Sequence, residues 1–310
     1  MSSRSPRHGS LQFWPRKRAK KYLPSVNWNN ISGKNLKGFI AYKAGMTSLV
    51  VLDSTPHSMS KGKKIVIPTT ILECPPLKIY SVRLYKNGIV AKEIHAENPD
   101  KEMKRKIKFA KAKKHKMEDV KAEDYDDVRL IVYSQVKKTG LKKTPDVSEI
   151  GIGGSMEEKL AFAKEHMNKE IFATDVLQKG QLIDLRGLTK GKGLVGPVKR
   201  MGITLKSHKS EKGQRRPGSI GPWHPARTTF RVAMAGQMGM FTRVIYNNKI
   251  IAIGKAEGKF NGIKNYGDVK TDYILVRGSV QGPAKRQLII TNPLRETKRQ
   301  KKKIFEVIEK

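Results

Sequence analysis

The chain has 310 residues, with 64 Lys or Arg against 27 Asp or Glu, a formal net charge of +37 and a pI near 10.2. Like charge at this density repels itself in a compact state, so a partner polyanion is expected. One cysteine, Cys74, excludes an internal disulfide framework and any multi-cysteine zinc site, and no apolar run approaches the roughly 20 residues of a membrane helix. A hydrophobic share of 37% is enough for local core in two domains of ordinary size, with some of the chain outside any core.

Residues 1–37 hold nine Lys or Arg and no acid, interleaved with Phe13, Trp14, Tyr22 and Trp28. Flat rings among cations predict an RNA-bound arm, the rings stacking on bases and the cations meeting phosphates; a solvated targeting tail is the simpler alternative. From Gly38 the chain turns to β-rich runs, GFIAYKA, MTSLVVLD, KIVIPTTILE and IYSVRLY, bounded by Gly, Pro and Asp, the pattern of a small antiparallel sheet or barrel. Asn87-Gly88 marks a tight hairpin, because both residues accept positive φ. Residues 97–127 alternate acids and bases among good helix formers and predict a solvated helical segment with no site. VRLIVYSQV reads as a strand and GIGGSMEEKLAFAKEH as a loop and helix, with Ser155 and Glu158 as a capping box. Residues 80–172 are thus expected as an α+β lobe inserted into a β module that resumes with RVIYNNKIIAIGK, DYILVRGSV and RQLIITN. The end, RETKRQKKKIFEVIEK, reads as a basic helical tail.

The stretch from Leu182 to Arg243 carries the densest charge, and Glu211 is its only acid after Asp184. So basic and so rich in Gly and Pro, it needs a polyanion to order it, and RNA is the expected one. Gly191, Gly193 and Gly196 spell G-x-G-x-x-G, but a dinucleotide loop requires a helix at its third glycine and an acid about twenty residues on. Pro197 and a β-like VKRMG follow instead, so the glycines are read as letting the backbone lie close to a phosphodiester chain. Trp223, between Pro222 and His224-Pro225, is expected on a stiffened loop; a tryptophan anchoring that loop to its own domain is the alternative. His208 and His224 lack the neighbours of a metal or hydrolytic site. Ala235 to Gly239 is either a tight turn returning the extension or a close backbone approach to RNA. Cys74 is read as a small residue closing a strand.

The blocks GSLQFWPRKRAKK, YKAGMTSLVVLD, ILECPPLKIYSVRLY, GIGGSMEEKL, LTKGKGLVGPVKRMGI, GSIGPWHPARTTFRVAMAGQMG and NYGDVKTDYILVRGSVQGPAKRQLIITNP resemble, in order, the family of the universal third protein of the large ribosomal subunit in its archaeal form. The resemblance implies a mainly β fold: a translation-factor-like six-stranded β-barrel at 38–79 and 173–292, with an α+β insertion at 80–172 and long basic extensions. Those extensions would be an arm at 1–37, a central finger at about 186–243 and a tail at 293–310. It also implies early assembly on the 3′ region of large-subunit rRNA, a finger directed at the peptidyl-transferase centre with Trp223 at its tip, and peptide-bond chemistry left to RNA.

The expected function is therefore a non-enzymatic, cytoplasmic constituent of the large ribosomal subunit, with no cofactor, metal or membrane, no stand-alone homo-oligomer, and large-subunit rRNA and neighbouring ribosomal proteins as partners. Expected RNA contacts are Arg7, Phe13, Trp14, Arg16, Lys17, Arg18, Lys20 and Lys21 in the arm. In the finger they are Lys190, Lys192, Lys199, Arg200, His208, Lys209, Arg215, Arg216, Trp223, His224, Arg227, Arg231 and Arg243, with Lys285 and Arg286 beyond it. The rivals are an RNA-modifying enzyme using the glycine loop and a free barrel-type translation factor.

Overall fold

A computed structural model describes residues 10–109, 117–118 and 120–309. The chain divides into two compact units, one of residues 1–22 and 188–243 and the other of 23–187 and 244–310. In chain order the strands are β1 (Gly38–Asp53), β2 (Lys64–Cys74), β3 (Leu77–Lys86), β4 (Ile89–His95), β5 (Asp127–Ser134), β6 (Val147–Gly151), β7 (Leu182–Leu188), β8 (Gly193–Val195), β9 (Gly236–Met238), β10 (Thr242–Gly254), β11 (Asp272–Arg277), β12 (Gln287–Thr291) and β13 (Phe305–Glu309). The helices are α1 (Met156–His166), α2 (Ala173–Val176), α3 (Pro197–Met201) and α4 (Lys298–Lys301), with 3-10 turns at Lys101–Arg105, Ala122–Asp124 and Val136–Thr139. The fold is mainly β.

In the larger unit the first sheet has the order β12-β7-β10-β11-β2-β1-β13, and β12 also pairs with β1. Gly38 to Tyr42 of β1 run antiparallel to Thr291 to Gln287, while the far half of β1 pairs with β2 and β13. The second sheet, β4-β3-β5-β6, is antiparallel throughout. Its first hairpin turns on Asn87 and Gly88 at φ 52° and 75°, the left-handed pair a two-residue turn requires. The helix α1 starts where the capping box places it: Ser155 Oγ accepts from the Glu158 amide, and the Glu158 carboxylate accepts from the Ser155 amide at 2.9 Å.

One apolar core runs through both sheets, from Phe39, Tyr42 and Leu72 to Val82, Leu130 and Ile150. Each such side chain contributes about 1.5–3 kcal/mol by leaving water. Tyr42 of β1 further joins the sheets by polar contact: its hydroxyl donates to Asp146 and lies 2.7 Å from Ser134 Oγ on β5. The buried Glu73 accepts from the Tyr266 hydroxyl and from the Lys270 and Thr271 amides at 2.8 and 3.0 Å, which fastens the 255–271 connection to β2. Burial and the facing carboxylate push the Tyr266 hydroxyl pKa up. Cys74 ends β2, fully buried, with its thiol pKa raised by burial.

Three expectations are corrected. Trp28 does not present a ring for stacking: it is 2% exposed, in the same core as Leu23, Ile31 and Leu36. The described part of residues 97–127 does not form a solvated helix: it has only two short 3-10 turns, the first of them held to the body by buried Met103. The tail is helical only over Lys298–Lys301. FEVIE then alternates with period two and adds β13 to β1, burying Phe305. The Lys249 ammonium holds that tail by donating to the carbonyls of Gln300, Lys301 and Lys303, the first two at 3.2 and 3.0 Å.

Candidate nucleic-acid interface

The smaller unit carries 19 Lys or Arg and one acid, Glu211. Its regular structure is slight. Strands β8 and β9 pair antiparallel, Gly193 opposite Met238 and Val195 opposite Gly236, and Thr189 donates through its amide to Phe241 O at 3.0 Å. The segment Ala235 to Gly239 is thus mostly strand. Gly239, at φ +77°, leaves no room for a side chain: a Cβ there would lie 1.9 Å from the Lys190 carbonyl oxygen.

Contrary to the β-like reading of VKRMG, those residues belong to a helix: α3 begins at Pro197 directly after Gly196 and ends at Gly202 in the left-handed conformation. Proline suits this place because its missing amide has no partner in the first turn. A nucleotide loop is not restored by it. The strand before it belongs to an antiparallel ladder, α3 is five residues long, and the one acid that follows within the unit, Glu211, sits exposed in a turn and not at the end of a second parallel strand.

Three of the expected phosphate contacts are engaged within the unit, Arg16, Arg200 and Arg243, the last donating from Nη1 to Thr242 O at 2.8 Å. Arg200 donates from Nε to Gln237 O at 3.1 Å and from Nη1 to Met234 O at 3.0 Å. Arg16 donates from Nη1 to Arg200 O at 3.3 Å, and the Ala19 amide donates to Met240 O at 3.0 Å, so residues 16–19 of the arm lie along residues 200 and 240. Their guanidinium groups organise backbone as well as adding charge. Trp14 is half-buried, edge-on to Phe230 at 5.7 Å with the Arg16 guanidinium 5.3 Å from its ring, and Arg243 lies 4.8 Å over Phe13. Cation and ring are here already interleaved.

The remaining expected residues of this unit lie outward. Lys17, Arg18, Lys20, Lys21, Lys190, Lys192, Lys199, His208, Lys209, Arg215, Arg216, His224, Arg227 and Arg231 are all exposed, and every residue from Gly221 to Phe230 is exposed. Trp223 is 86% exposed, so its indole does not anchor the loop to a core of this chain. Residues 206–216 fold back, Lys206 N donating to Gln214 O at 3.1 Å, around a concavity of about 640 Å³ lined by His208, Lys212, Arg215 and Arg216. Lys285 and Arg286 belong to the other unit, and Arg7 lies outside the described residues. Sequence reading passed over Phe230, 60% exposed against Trp14, and Lys212; the run of cations from Lys206 to Arg216 was the available signal for the second.

The larger unit engages cations in ion pairs such as Lys78–Asp100, Arg83–Glu93 and Arg129–Asp127. No group of three His, Cys, Asp or Glu among the described residues gathers to hold a metal ion, and no helix is long and apolar enough to cross a membrane. A mainly β body with a loop-rich unit that carries 19 cations against one acid places the chain in the class of basic proteins that associate with a polyanion.

The comparisons narrow that class. The profile of the family described as ribosomal protein L3 matches residues 1–310. The large ribosomal subunit protein uL3 of Methanocaldococcus jannaschii is 41% identical over 306 residues, 94% of this chain and 91% of that one. Its counterparts from Methanococcus vannielii and from Methanococcus maripaludis strain C7 are each 40% identical over 310 residues, 95% of this chain and 93% of theirs. The chain belongs to the ribosomal protein L3 family.

Proposed function

We propose that the chain serves as a structural constituent of the large subunit of a cytoplasmic, archaeal-type ribosome, binding large-subunit rRNA through its smaller unit and meeting neighbouring ribosomal proteins elsewhere. Family membership supports the subunit assignment. The observation that carries the RNA reading is the 19-to-1 excess of cations over acids in a unit with an exposed run from Gly221 to Phe230. Phosphates along a folded RNA supply the missing counter-charge. Trp223 and its neighbours supply stacking and positioning.

The pairing order β1-β2-β11-β10-β7-β12, with β12 returning to β1, supports reading the first sheet as a translation-factor-like six-stranded barrel at 38–79 and 173–292. The second sheet and α1 support an inserted α+β lobe at 80–172. In this reading residues 1–37 are the arm, 186–243 a finger directed at the peptidyl-transferase centre, and 293–310 a tail. Early assembly on rRNA fits a chain whose body supplies its own core while its cations await a counter-charge. Neither an RNA-modifying enzyme nor a freely exchanging factor is favoured by any observation.

The test is binding of the full chain to large-subunit rRNA over a range of salt. Log K is expected to fall by roughly 0.7–0.9 per neutralised phosphate for each log unit of salt, giving a steep line. A flat line, or release of the chain from large subunits in a gradient that strips only loosely held factors, would overturn the proposal.

A further inference from the structure

Residues 80–172 contain 21 Lys or Arg and 16 Asp or Glu, and this near balance conceals segregation. Several cations of the lobe are answered: Arg83 and Arg129 reach Glu149 at 3.5 and 3.2 Å, Lys142 reaches Asp146 at 2.6 Å, and Lys159 reaches Asp127 at 2.7 Å. One corner departs from that pattern.

The 3-10 turn Lys101–Arg105 is held by Met103, which is 0% exposed among Tyr80, Ile131 and Tyr133, and by the Ile107 amide donating to Met103 O at 2.9 Å. With Met103 turned inward, Lys101, Glu102 and Arg105 must face out; Glu102 and Arg105, three apart, fall on one side of a three-residue turn. The turn Val136–Thr139 is likewise held by buried Val136 and Thr139, which leaves Lys137 outside. Together these turns and Lys143 line a concavity of about 310 Å³ with four cations, Lys101, Arg105, Lys137 and Lys143, and a single carboxylate. That carboxylate, Glu102, is taken by Lys137 at 2.6 Å, and the contact holds its pKa below the usual carboxylate range. Lys101, Arg105 and Lys143 are exposed, and among the described residues none has a carboxylate within 4.0 Å. Lys104, Lys106 and Lys108 stand exposed on the same segment and extend the positive field.

We infer that this corner of the lobe is a second RNA-binding site, which takes one backbone phosphate of rRNA between Lys101, Arg105 and Lys143. The inference rests on the rRNA-binding reading above and adds a contact outside the arm and finger. An anion entering the concavity meets three cations, while the one lining carboxylate, Glu102, is engaged by Lys137. The lining offers no aromatic face, so the contact is to the backbone, insensitive to base identity, and serves to orient the lobe on its RNA. The charge run from Lys101 onward is therefore a functional surface, where sequence alternation suggested a merely solvated one.

The test compares the full chain with its Lys101→Gln/Lys143→Gln variant on deproteinised large-subunit rRNA. The variant is expected to bind about three- to tenfold more weakly at low salt, with a salt slope shallower by about 0.7–0.9, the loss of one phosphate. Thermal unfolding of the variant should match that of the parent, both side chains being exposed. A second readout is acetylation of surface lysines: rRNA should shield Lys101 and Lys143 and leave Lys164, exposed on α1, reactive. If the parent shows the steep line while the variant has the same slope and both lysines stay reactive, this site is refuted and the broader RNA reading stands. A flat parent line refutes the broader reading itself. Shielding of Lys101 and Lys143 by polyglutamate but not by rRNA would identify an acidic polypeptide as the occupant and also overturn the inference.

Discussion

The smaller unit and the lobe are both rich in lysine and arginine, and they use them in opposite ways. In the lobe, Arg129 is held by Asp127 at 3.0 Å and Glu149 at 3.2 Å, and its guanidinium lies 4.3 Å from the centre of the Tyr85 ring. In the smaller unit, cations either clasp backbone carbonyls, as Arg16 and Arg200 do, or stand exposed, as Lys192 and Arg215 do. Charge density alone thus does not define a nucleic-acid surface. What distinguishes it is charge without internal counter-charge, since only such cations are left to bind phosphate at little further cost.

The sharpest way to break this comparison uses two tryptophans. Trp28→Ala empties a core site between Gly38 and Gly151, whose added Cβ atoms would each lie 2.7 Å from Trp28, and should cost about 3–5 kcal/mol in urea unfolding. Trp223→Ala should cost no more than about 0.5 kcal/mol and lower translation instead. Equal losses of stability would erase the distinction between the units.

Acid unfolding sharpens it next. Asp53 is buried and accepts from the hydroxyls of Ser58 and Ser60 and from the Thr55 amide, bonds that bring its pKa down from 3.8 to about 2. A pKa depressed on folding gives stability that is present above about pH 4 and lost as pH falls toward 2. Asp53→Asn should remove that part of the pH dependence, measured as the change in urea midpoint between pH 5 and pH 2. An unchanged profile would show that the carboxylate is not seated as described.

The smallest contrast is between single cations. Arg129→Ala, which loses both carboxylates and a bond to Asn29 at 3.1 Å, should destabilise by about 1 kcal/mol or somewhat more. Lys192→Ala should be neutral or slightly stabilising in the free chain, because it removes repulsion and no contact, while weakening RNA binding.

Local signals were legible in the sequence. Asn87-Gly88 and the Ser155 to Glu158 cap depend on residues within a turn of one another, and both stand where their chemistry puts them. The excess of cations between Lys190 and Arg243 is likewise composition, visible without a fold. What stayed hidden depends on partners distant in sequence. Nothing near Trp28 says that Gly151 will receive it. Nothing near Arg200 says that carbonyls 34 and 37 positions onward will claim its guanidinium. The α3 helix was concealed by Val198 and Met201, whose strand-like neighbours outweighed the helix start offered by Pro197. At the lobe corner, alternating signs suggested mutual neutralisation, but two buried anchors, Met103 and Val136, decide which charges meet.

The shared core of the two sheets has a bearing on how this chain can be trimmed or engineered. Leu72, Leu77 and Ile79 share their apolar cluster with Leu130, Val132 and Ile150, and Tyr42 shares a proton-donor network with Ser134 and Asp146. Excising residues 80–172 would strip away 13 of the 36 buried residues of that cluster and both hydrogen-bond partners of the Tyr42 hydroxyl, so the insertion is not a detachable module. A minimal version of the chain has to be shortened in the finger or in the arm ahead of Leu23, because Leu23, Trp28, Ile31 and Leu36 already belong to the core.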